Sequence, residues 1–228
     1  VGPDVASKIL QEDLIEEPEL VDRFVQERQV LRAIDHPNVV RVHDLIVEHD
    51  QLGIVMDYVR GGDLRSSGAM SVAPAVGLRM LAQIADGLTA VHAAGVVHRD
   101  VKPANVLVDR DAERPTLRLT DFGVSRLLGS TLTSVTSVTG TPAYLAPEVV
   151  AGEAITGAAD MYALGVMLYE ACTGSAPFKA ANVLGLMRMH ADEVINRPGG
   201  MPDQLWSLLS SLMAKDPSFR PTAPQAAP

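Results

Sequence analysis

Four polar residues lie close together near the middle of the sequence and could carry chemistry on a phosphoryl group. Asp100, Lys102 and Asn105 fall within six positions, and Asp121 follows 16 residues after Asn105. A carboxylate can accept a proton from an attacking hydroxyl, a lysine can neutralise phosphoryl charge, and amide and carboxylate oxygens suit a hard cation such as Mg²⁺. The same residues would also fit a polar surface turn with ordinary ion pairs, so the first motif alone leaves both interpretations open.

A predicted β-hairpin would bring two of these residues together. Residues 106–108 and 117–119 form two arms that are apolar except for Arg118, and the polar stretch 109–115 joins them. Antiparallel pairing places the start of the first arm beside the end of the second. Asn105 and Asp121 occupy those two ends, so the hairpin predicts an oxygen-rich corner for a divalent cation.

Strands are predicted mainly before this region and helices around and after it. Alternation and apolar periodicity predict strands at 5–10, 39–47 and 52–58, and helices at 18–36, 76–91, 161–172, 183–190 and 204–214. Gly95 is expected to end the long helix that precedes the polar cluster. The chain therefore reads as a small strand-rich part followed by a larger helical part.

Composition excludes several classes of protein. The 228 residues include 19 Lys and Arg against 28 Asp and Glu, a net charge of −9 that disfavours a nucleic-acid partner. The single cysteine, Cys172, excludes an internal disulfide framework and a Cys-based zinc cluster. No apolar run approaches a membrane span, and no signal peptide is visible. We expect a cytoplasmic, globular chain.

Three motifs occur in a fixed order and carry a family resemblance. Residues 98–106 read H-R-D-V-K-P-A-N-V, residues 121–123 read D-F-G, and residues 141–148 read T-P-A-Y-L-A-P-E. With this order and spacing the sequence resembles the eukaryotic-like (Hanks-type) serine/threonine protein kinases, particularly the bacterial branch. The resemblance extends from residue 5 to about residue 223.

The resemblance implies an α+β, two-lobed protein-kinase fold. Residues 1–59 would form a partial N-lobe (its third strand, αC helix, and fourth and fifth strands), and residues 60–228 a mostly helical C-lobe, incomplete at its C-terminal end. The family's glycine-rich loop should precede the strand lysine by roughly fifteen or more residues, but only seven residues precede Lys8. We therefore expect a catalytic domain that lacks this loop and is weakly stable and weakly active as it stands.

The resemblance also implies roles for the central cluster. Asp100 resembles the catalytic base, and Lys102 would contact the γ-phosphate of ATP. Asn105 and Asp121 resemble the two ligands of Mg²⁺ (or Mn²⁺), in agreement with the hairpin argument.

The predicted nucleotide site includes residues of the first part of the chain. Lys8 resembles the lysine that grips the α- and β-phosphates, and Glu27 resembles its ion-pair partner in the active state. A carboxylate on a buried helical stripe is costly unless it is paired, which favours the same pair. Met56 would be the gatekeeper, and backbone groups of Asp57 to Val59 would bind adenine.

Other residues are expected to be structural. Glu148 and Arg220 resemble a buried pair that ties the A-P-E segment to the late helices, and Asp160 resembles the residue that braces the catalytic-loop backbone. His98 and Phe122 are expected to be packing residues. Thr141 is expected to contact Asp100 and Lys102.

A regulatory role is expected for the loop before A-P-E. Arg99 directly precedes Asp100, which in this family usually accompanies control by phosphorylation of that loop. Residues 127–147 carry eight Ser or Thr hydroxyls and no charge, so one phosphate would dominate the local field and could pair with Arg99. A flexible loop without a regulatory role is the alternative. We expect autophosphorylation, which a homodimer could carry out, at one or more of Thr131, Thr133, Thr136 and Thr139.

The predicted function is therefore transfer of the γ-phosphate of ATP to Ser or Thr hydroxyls of protein substrates. The alternative is a pseudokinase that acts as a scaffold or binding module without phosphotransfer. No membrane segment is expected within this chain, which would be cytoplasmic or the cytosolic domain of a longer membrane-anchored protein.

Overall fold

A three-stranded antiparallel sheet forms the first part of the chain. In this computed structural model the described residues are 4–9, 28–48, 51–67, 72–111, 115–122 and 142–227. The strands are β1 (Val5–Ile9), β2 (Val42–Glu48) and β3 (Gln51–Asp57), in the order β1-β3-β2. Residues 28–33 are helical, and Leu31 and Ile34 pack with Ile54 of β3 in one buried cluster.

The second part is built around one buried helix. The helices are α1 (Pro74–Ala93), α2 (Pro147–Val150), α3 (Gly157–Thr173), α4 (Val183–Asp192), α5 (Asp203–Leu212) and α6 (Ala223–Ala226). Helix α3 is apolar on nearly all faces, and residues along most of its length are buried, as expected for a helix surrounded by other elements. Thr156 caps its N-terminus by accepting a hydrogen bond from the N–H of Ala158, and Gly174 ends it at φ 76°.

The predicted hairpin lies between these parts. Its strands are β4 (Val106–Asp109) and β5 (Thr116–Leu119), and Val106 lies opposite Leu119. This register puts Asn105, which precedes β4, and Asp121, which follows β5, at the same open end of the hairpin, as the sequence predicts. The prediction of two adjacent hairpin ends is confirmed.

The same hairpin explains why one strand prediction is wrong at its start. The predicted strand 39–47 begins only at Val42. The N–H of Val40 instead donates to the carbonyl of Leu119 at 2.8 Å, and the N–H of Leu119 donates to the carbonyl of Asn38 at 2.8 Å. Residues 38–40 therefore pair with the hairpin and tie it to the three-stranded sheet.

A close helix contact secures this junction. A Cβ on Gly87 of α1 would lie 2.7 Å from the carbonyl oxygen of Asn38 and 2.9 Å from the side chain of Leu119. Only glycine lets the helix approach so closely. Among the helices of the described residues, none is long and apolar enough to cross a membrane.

Candidate active site

The polar cluster of residues 100–105 is held together by short contacts. A 3-10 turn, Pro103–Asn105, follows Lys102 and leads into β4. The Nζ of Lys102 lies 2.7 Å from Oδ2 of Asp100, and the Nδ2 of Asn105 donates to the same oxygen at 2.8 Å. Nδ2 of Asn105 also donates to the carbonyl of Asp100 at 2.8 Å. The side chains of Lys102 and Asn105 therefore both contact that of Asp100.

Asp160 braces the backbone immediately before this cluster. Its carboxylate is buried near the start of α3 and accepts hydrogen bonds from the N–H groups of His98 and Arg99, each at 2.8 Å. Arg99 has φ 68°, a left-handed conformation that is unfavourable for a non-glycine residue. The two hydrogen bonds stabilise that conformation and so help to orient Asp100.

His92 is a third partner of Asp160, and it was not predicted from the sequence. Its Nε2 lies 2.7 Å from Oδ2 of Asp160. His92 occupies the last turn of α1, just before the catalytic loop. A polar residue at the end of an otherwise apolar helical stripe was the signal that could have identified it.

The expected packing roles of His98 and Phe122 agree with their positions. Both are buried, and their rings meet edge to face with centroids 6.4 Å apart. This contact joins the catalytic loop to the residue after Asp121.

Asp121 ends the hairpin in a left-handed conformation and contacts the small sheet. Its φ is 63°, and its Oδ2 lies 2.8 Å from the Nζ of Lys8. Glu27, the predicted partner of Lys8, lies outside the described residues, so that pair stays a prediction. In this structure the predicted phosphate-binding lysine contacts a predicted metal ligand.

The hydrogen-bonding groups of Asn105 and Asp121 fit a hard cation. Because Nδ2 of Asn105 donates to Asp100, its Oδ1 is the atom that could coordinate a metal. Among the described residues no group of three or more His, Cys, Asp or Glu side chains could hold a metal ion. One amide and one carboxylate are what Mg²⁺ uses when phosphate oxygens and water complete its shell.

The predicted adenine-binding segment follows β3. Met56 is buried, and the Oγ1 of Thr120 lies 3.6 Å from its sulfur. The N–H groups of Asp57 and Tyr58 donate to the carbonyls of Arg41 and Asp4, at 3.0 and 3.1 Å. Adenine contacts from this segment would therefore use the carbonyl of Asp57 or the backbone of Val59, and they stay predictions.

The predicted Glu148–Arg220 pair is present and buried. The guanidinium donates to both carboxylate oxygens, Nη1 to Oε1 at 2.6 Å and Nη2 to Oε2 at 2.8 Å. Arg220 also donates to the carbonyls of Ala158, Ala214 and Lys215. A bidentate pair with additional backbone partners compensates the cost of burying both charges.

A network centred on Tyr144 was not foreseen from the sequence. Its hydroxyl donates to Glu170 and accepts from Nη2 of Arg65 at 2.7 Å. Burial and the Glu170 carboxylate raise the pKa of Tyr144. These residues are far apart in the sequence, so no local pattern predicts their contact.

Several predicted residues lie outside the part of the chain that the structure describes. Besides Glu27, these are the loop residue Thr141 and the phosphorylation candidates Thr131, Thr133, Thr136 and Thr139. Their expected roles stay predictions.

The fold and the site together define a protein kinase. The protein kinase domain family matches residues 2–228, nearly the whole chain, which therefore belongs to that family. The chain is similar to several bacterial serine/threonine-protein kinases. PkaB of Streptomyces coelicolor, a serine/threonine-protein kinase, is 47% identical over 96% of this chain, and PknJ of Mycobacterium tuberculosis is 40% identical over 96%.

A solved structure supports the fold. The crystal structure of Rad53 1–466 in complex with AMP-PNP matches with a TM-score of 0.80 and 27% identity, covering 98% of this chain and 56% of that one. The chain spans 55% of PkaB and 38% of PknJ, about half or less of the length of these relatives. The predicted family and the two-lobed α+β fold are confirmed.

Proposed function

We propose that the protein transfers the γ-phosphate of ATP to Ser or Thr hydroxyls of protein substrates. The observation that carries this proposal is the contact of Lys102 and Asn105 with one oxygen of Asp100, at 2.7 and 2.8 Å. These contacts orient a partly exposed carboxylate beside a cation. The serine/threonine kinases among the relatives and the AMP-PNP complex of Rad53 support the same chemistry.

Asp100 orients the substrate hydroxyl and accepts its proton as the oxygen attacks the γ-phosphorus. The bond between the γ-phosphorus and the bridging oxygen breaks, and ADP leaves. Because Lys102 and Asn105 both contact Oδ2, Oδ1 is the oxygen that would receive the proton. The Lys102 ammonium stabilises negative charge on the phosphoryl oxygens.

Lys8, Asp121 and Asn105 would hold the phosphates of the nucleotide and their cation. Lys8 would leave Asp121 and contact the α- and β-phosphates, while Asn105 and Asp121 hold Mg²⁺ or Mn²⁺. The cation, when bound, neutralises phosphate charge. Met56 would be the gatekeeper, and backbone groups of the hinge, Asp57 to Val59, would bind adenine. The hinge would divide the chain into its lobes, 1–59 and 60–228.

Regulation by autophosphorylation of the loop before A-P-E is part of this proposal. Arg99 lies one residue before the catalytic base, so a phosphate that pairs with it would connect the loop directly to the catalytic residues. A second copy of the protein could catalyse this transfer from ATP to the loop, as in a homodimer.

The test compares the unmodified protein with Asp100→Asn, using γ-labelled ATP, Mg²⁺ and a general protein substrate. Asn is close in size to Asp but cannot take the proton, so we expect transfer to fall by about a hundredfold or more. Thermal unfolding and ADP binding should change little. Equal transfer by both proteins, or no transfer by an unmodified protein that binds nucleotide, would favour the pseudokinase alternative.

A further inference from the structure

A four-residue charge network lies behind the predicted adenine-binding segment. The Nε2 of His43 lies 2.7 Å from Oδ1 of Asp57. The other oxygen of Asp57 lies 3.3 Å from Nη1 of Arg118, whose Nη2 lies 3.0 Å from Oδ2 of Asp109. One guanidinium therefore contacts two carboxylates, and one of these also contacts an imidazole.

The network joins the small sheet to the hairpin. His43 belongs to β2 and Asp57 is the last residue of β3, whereas Asp109 ends β4 and Arg118 lies in β5. Nothing in the local sequence links these positions, because Asp57 and Arg118 are 61 residues apart. The side-chain network adds to the backbone pairing that already holds residues 38–40 against β5.

Burial distinguishes this network from an ordinary surface ion pair. The side chains of His43, Asp57, Arg118 and Asp109 are 31%, 26%, 27% and 15% exposed. By comparison, the Arg28–Asp44 pair has 41% and 39% exposure and lies within the first part of the chain. Partly buried and shared charges are screened less by solvent than exposed pairs, which contribute little.

We infer that Arg118 is a positioning residue. It fixes Asp57, at the start of the adenine-binding segment, relative to the hairpin next to the predicted metal ligands. Asn105 and Asp121 sit at the ends of the hairpin, and Arg118 lies three residues before Asp121. The network thus connects the part that would hold adenine to the part that would hold the phosphates.

This inference rests on the proposed nucleotide site. A site whose two halves are already fixed relative to each other loses less conformational freedom when ligand binds, and it therefore binds the ligand more tightly. Without the network, the hinge and the hairpin would move more independently, and nucleotide binding would have to order them. The effect should fall on nucleotide affinity rather than on the transfer step or on peptide binding.

The experiment measures the dissociation constant of MgADP by calorimetry, together with KM for ATP, KM for peptide and kcat. We expect Arg118→Gln and Asp57→Asn each to weaken MgADP binding about threefold to tenfold and to raise KM for ATP equally. KM for peptide should stay the same. In the double variant the losses should not add, because both substitutions break the same contact.

Two further variants separate positioning from general stability. Arg118→Lys keeps the charge but cannot contact two carboxylates at once, so it should recover only part of the affinity. Asp44→Asn is the matched control, since Asp44 is adjacent to His43 in β2 and its Arg28 partner does not bridge to the hairpin. It should leave MgADP binding unchanged.

The outcomes distinguish this inference from the proposed function. Unchanged MgADP affinity in Arg118→Gln, or additive losses in the double variant, would overturn the inference even if the enzyme is active. MgADP binding without phosphotransfer in the unmodified protein would overturn only the proposed function. Absence of MgADP binding in the unmodified protein would overturn both.

Discussion

The Nζ of Lys8 lies 2.8 Å from Oδ2 of Asp121, which joins β1 of the small sheet to the residue that follows the hairpin. The family resemblance assigns these two residues to the phosphates and to the metal, but it pairs Lys8 with Glu27. Before nucleotide binds, the lysine and the carboxylate neutralise each other. A nucleotide with its cation supplies new partners for both groups, so this ion pair marks where the phosphates would enter.

Replacing Lys8 should weaken nucleotide binding more than it affects folding. Lys8→Met removes the cation but keeps a long apolar side chain, and a lost charge-assisted hydrogen bond corresponds to about a tenfold or greater loss of MgADP affinity. Calorimetry measures this loss, and Lys179→Met, at an exposed lysine of the helical part, is the control. Equal affinities in both variants would contradict the role of Lys8.

Asp160→Asn should impair both stability and turnover. The amide has one acceptor oxygen where the carboxylate has two, and its NH₂ group would face an N–H donor of His98 or Arg99. We expect a loss of about 1–3 kcal/mol in the free energy of unfolding and a lower kcat, because Arg99 would relax from φ 68°. Urea unfolding and steady-state kinetics measure the two effects. An unchanged kcat in a destabilised protein would mean that the brace is structural only.

Replacing Arg220 should lower the free energy of unfolding more than replacing its buried partner Glu148. Breaking a buried ion pair by removing one partner costs about 3–5 kcal/mol. Arg220→Met also removes the donors of three backbone carbonyls, so it should cost more than Glu148→Gln, which keeps one acceptor for the guanidinium. Denaturant unfolding of both variants gives the order, and the reverse order would contradict this account.

His190 should make stability depend on pH. Burial, with a smaller contribution from the nearby Lys215, lowers the pKa of His190 to about 4 from its ordinary value of 6.5. The unfolded chain therefore binds a proton below pH 6.5 that the folded protein does not bind until about pH 4. The part of the free energy of unfolding that depends on the neutral state of His190 is therefore fully present above pH 6.5 and is lost progressively as the pH falls towards 4.

The variant His190→Gln tests this dependence. Its unfolding midpoint should change less between pH 7 and pH 4.5 than that of the unmodified protein, although it would be less stable at pH 7 because Tyr162 loses its contact with Nδ1 at 3.0 Å. Urea titrations at several pH values give the pH dependence of the unfolding midpoint for both proteins. The same dependence in both would show that groups other than His190 cause it.

Incubation with ATP should phosphorylate the loop before A-P-E. We expect phosphate at one or more of Thr131, Thr133, Thr136 and Thr139, because a phosphate there could pair with Arg99. Mass spectrometry of the unmodified protein and of Asp100→Asn separates autophosphorylation from modification during expression. An active enzyme whose loop carries no phosphate would exclude this form of regulation.

Local patterns predicted the parts of the site that lie close together in the sequence. Alternating apolar arms predicted the hairpin, and its register placed Asn105 near Asp121 because antiparallel pairing leaves little choice. Four of the five helix predictions closely match α1, α3, α4 and α5, since apolar periodicity reports directly on a buried helical face. Of the predicted helix 18–36, only residues 28–33 are helical among the residues that the structure describes. The Glu148–Arg220 pair was predicted only through the family resemblance.

The sequence by itself determined the family, the order of the elements and the cluster of residues 100–105, because motif order and periodicity are properties of neighbouring residues. Only the tertiary structure decided that Val40 pairs with the hairpin, that Lys8 meets Asp121 and that Arg118 contacts Asp57. Each of these contacts joins segments dozens of residues apart, and its geometry depends on how the sheet, the hairpin and α1 pack together. No local pattern carries that information, because each contact depends on the packing of elements that are distant in the sequence.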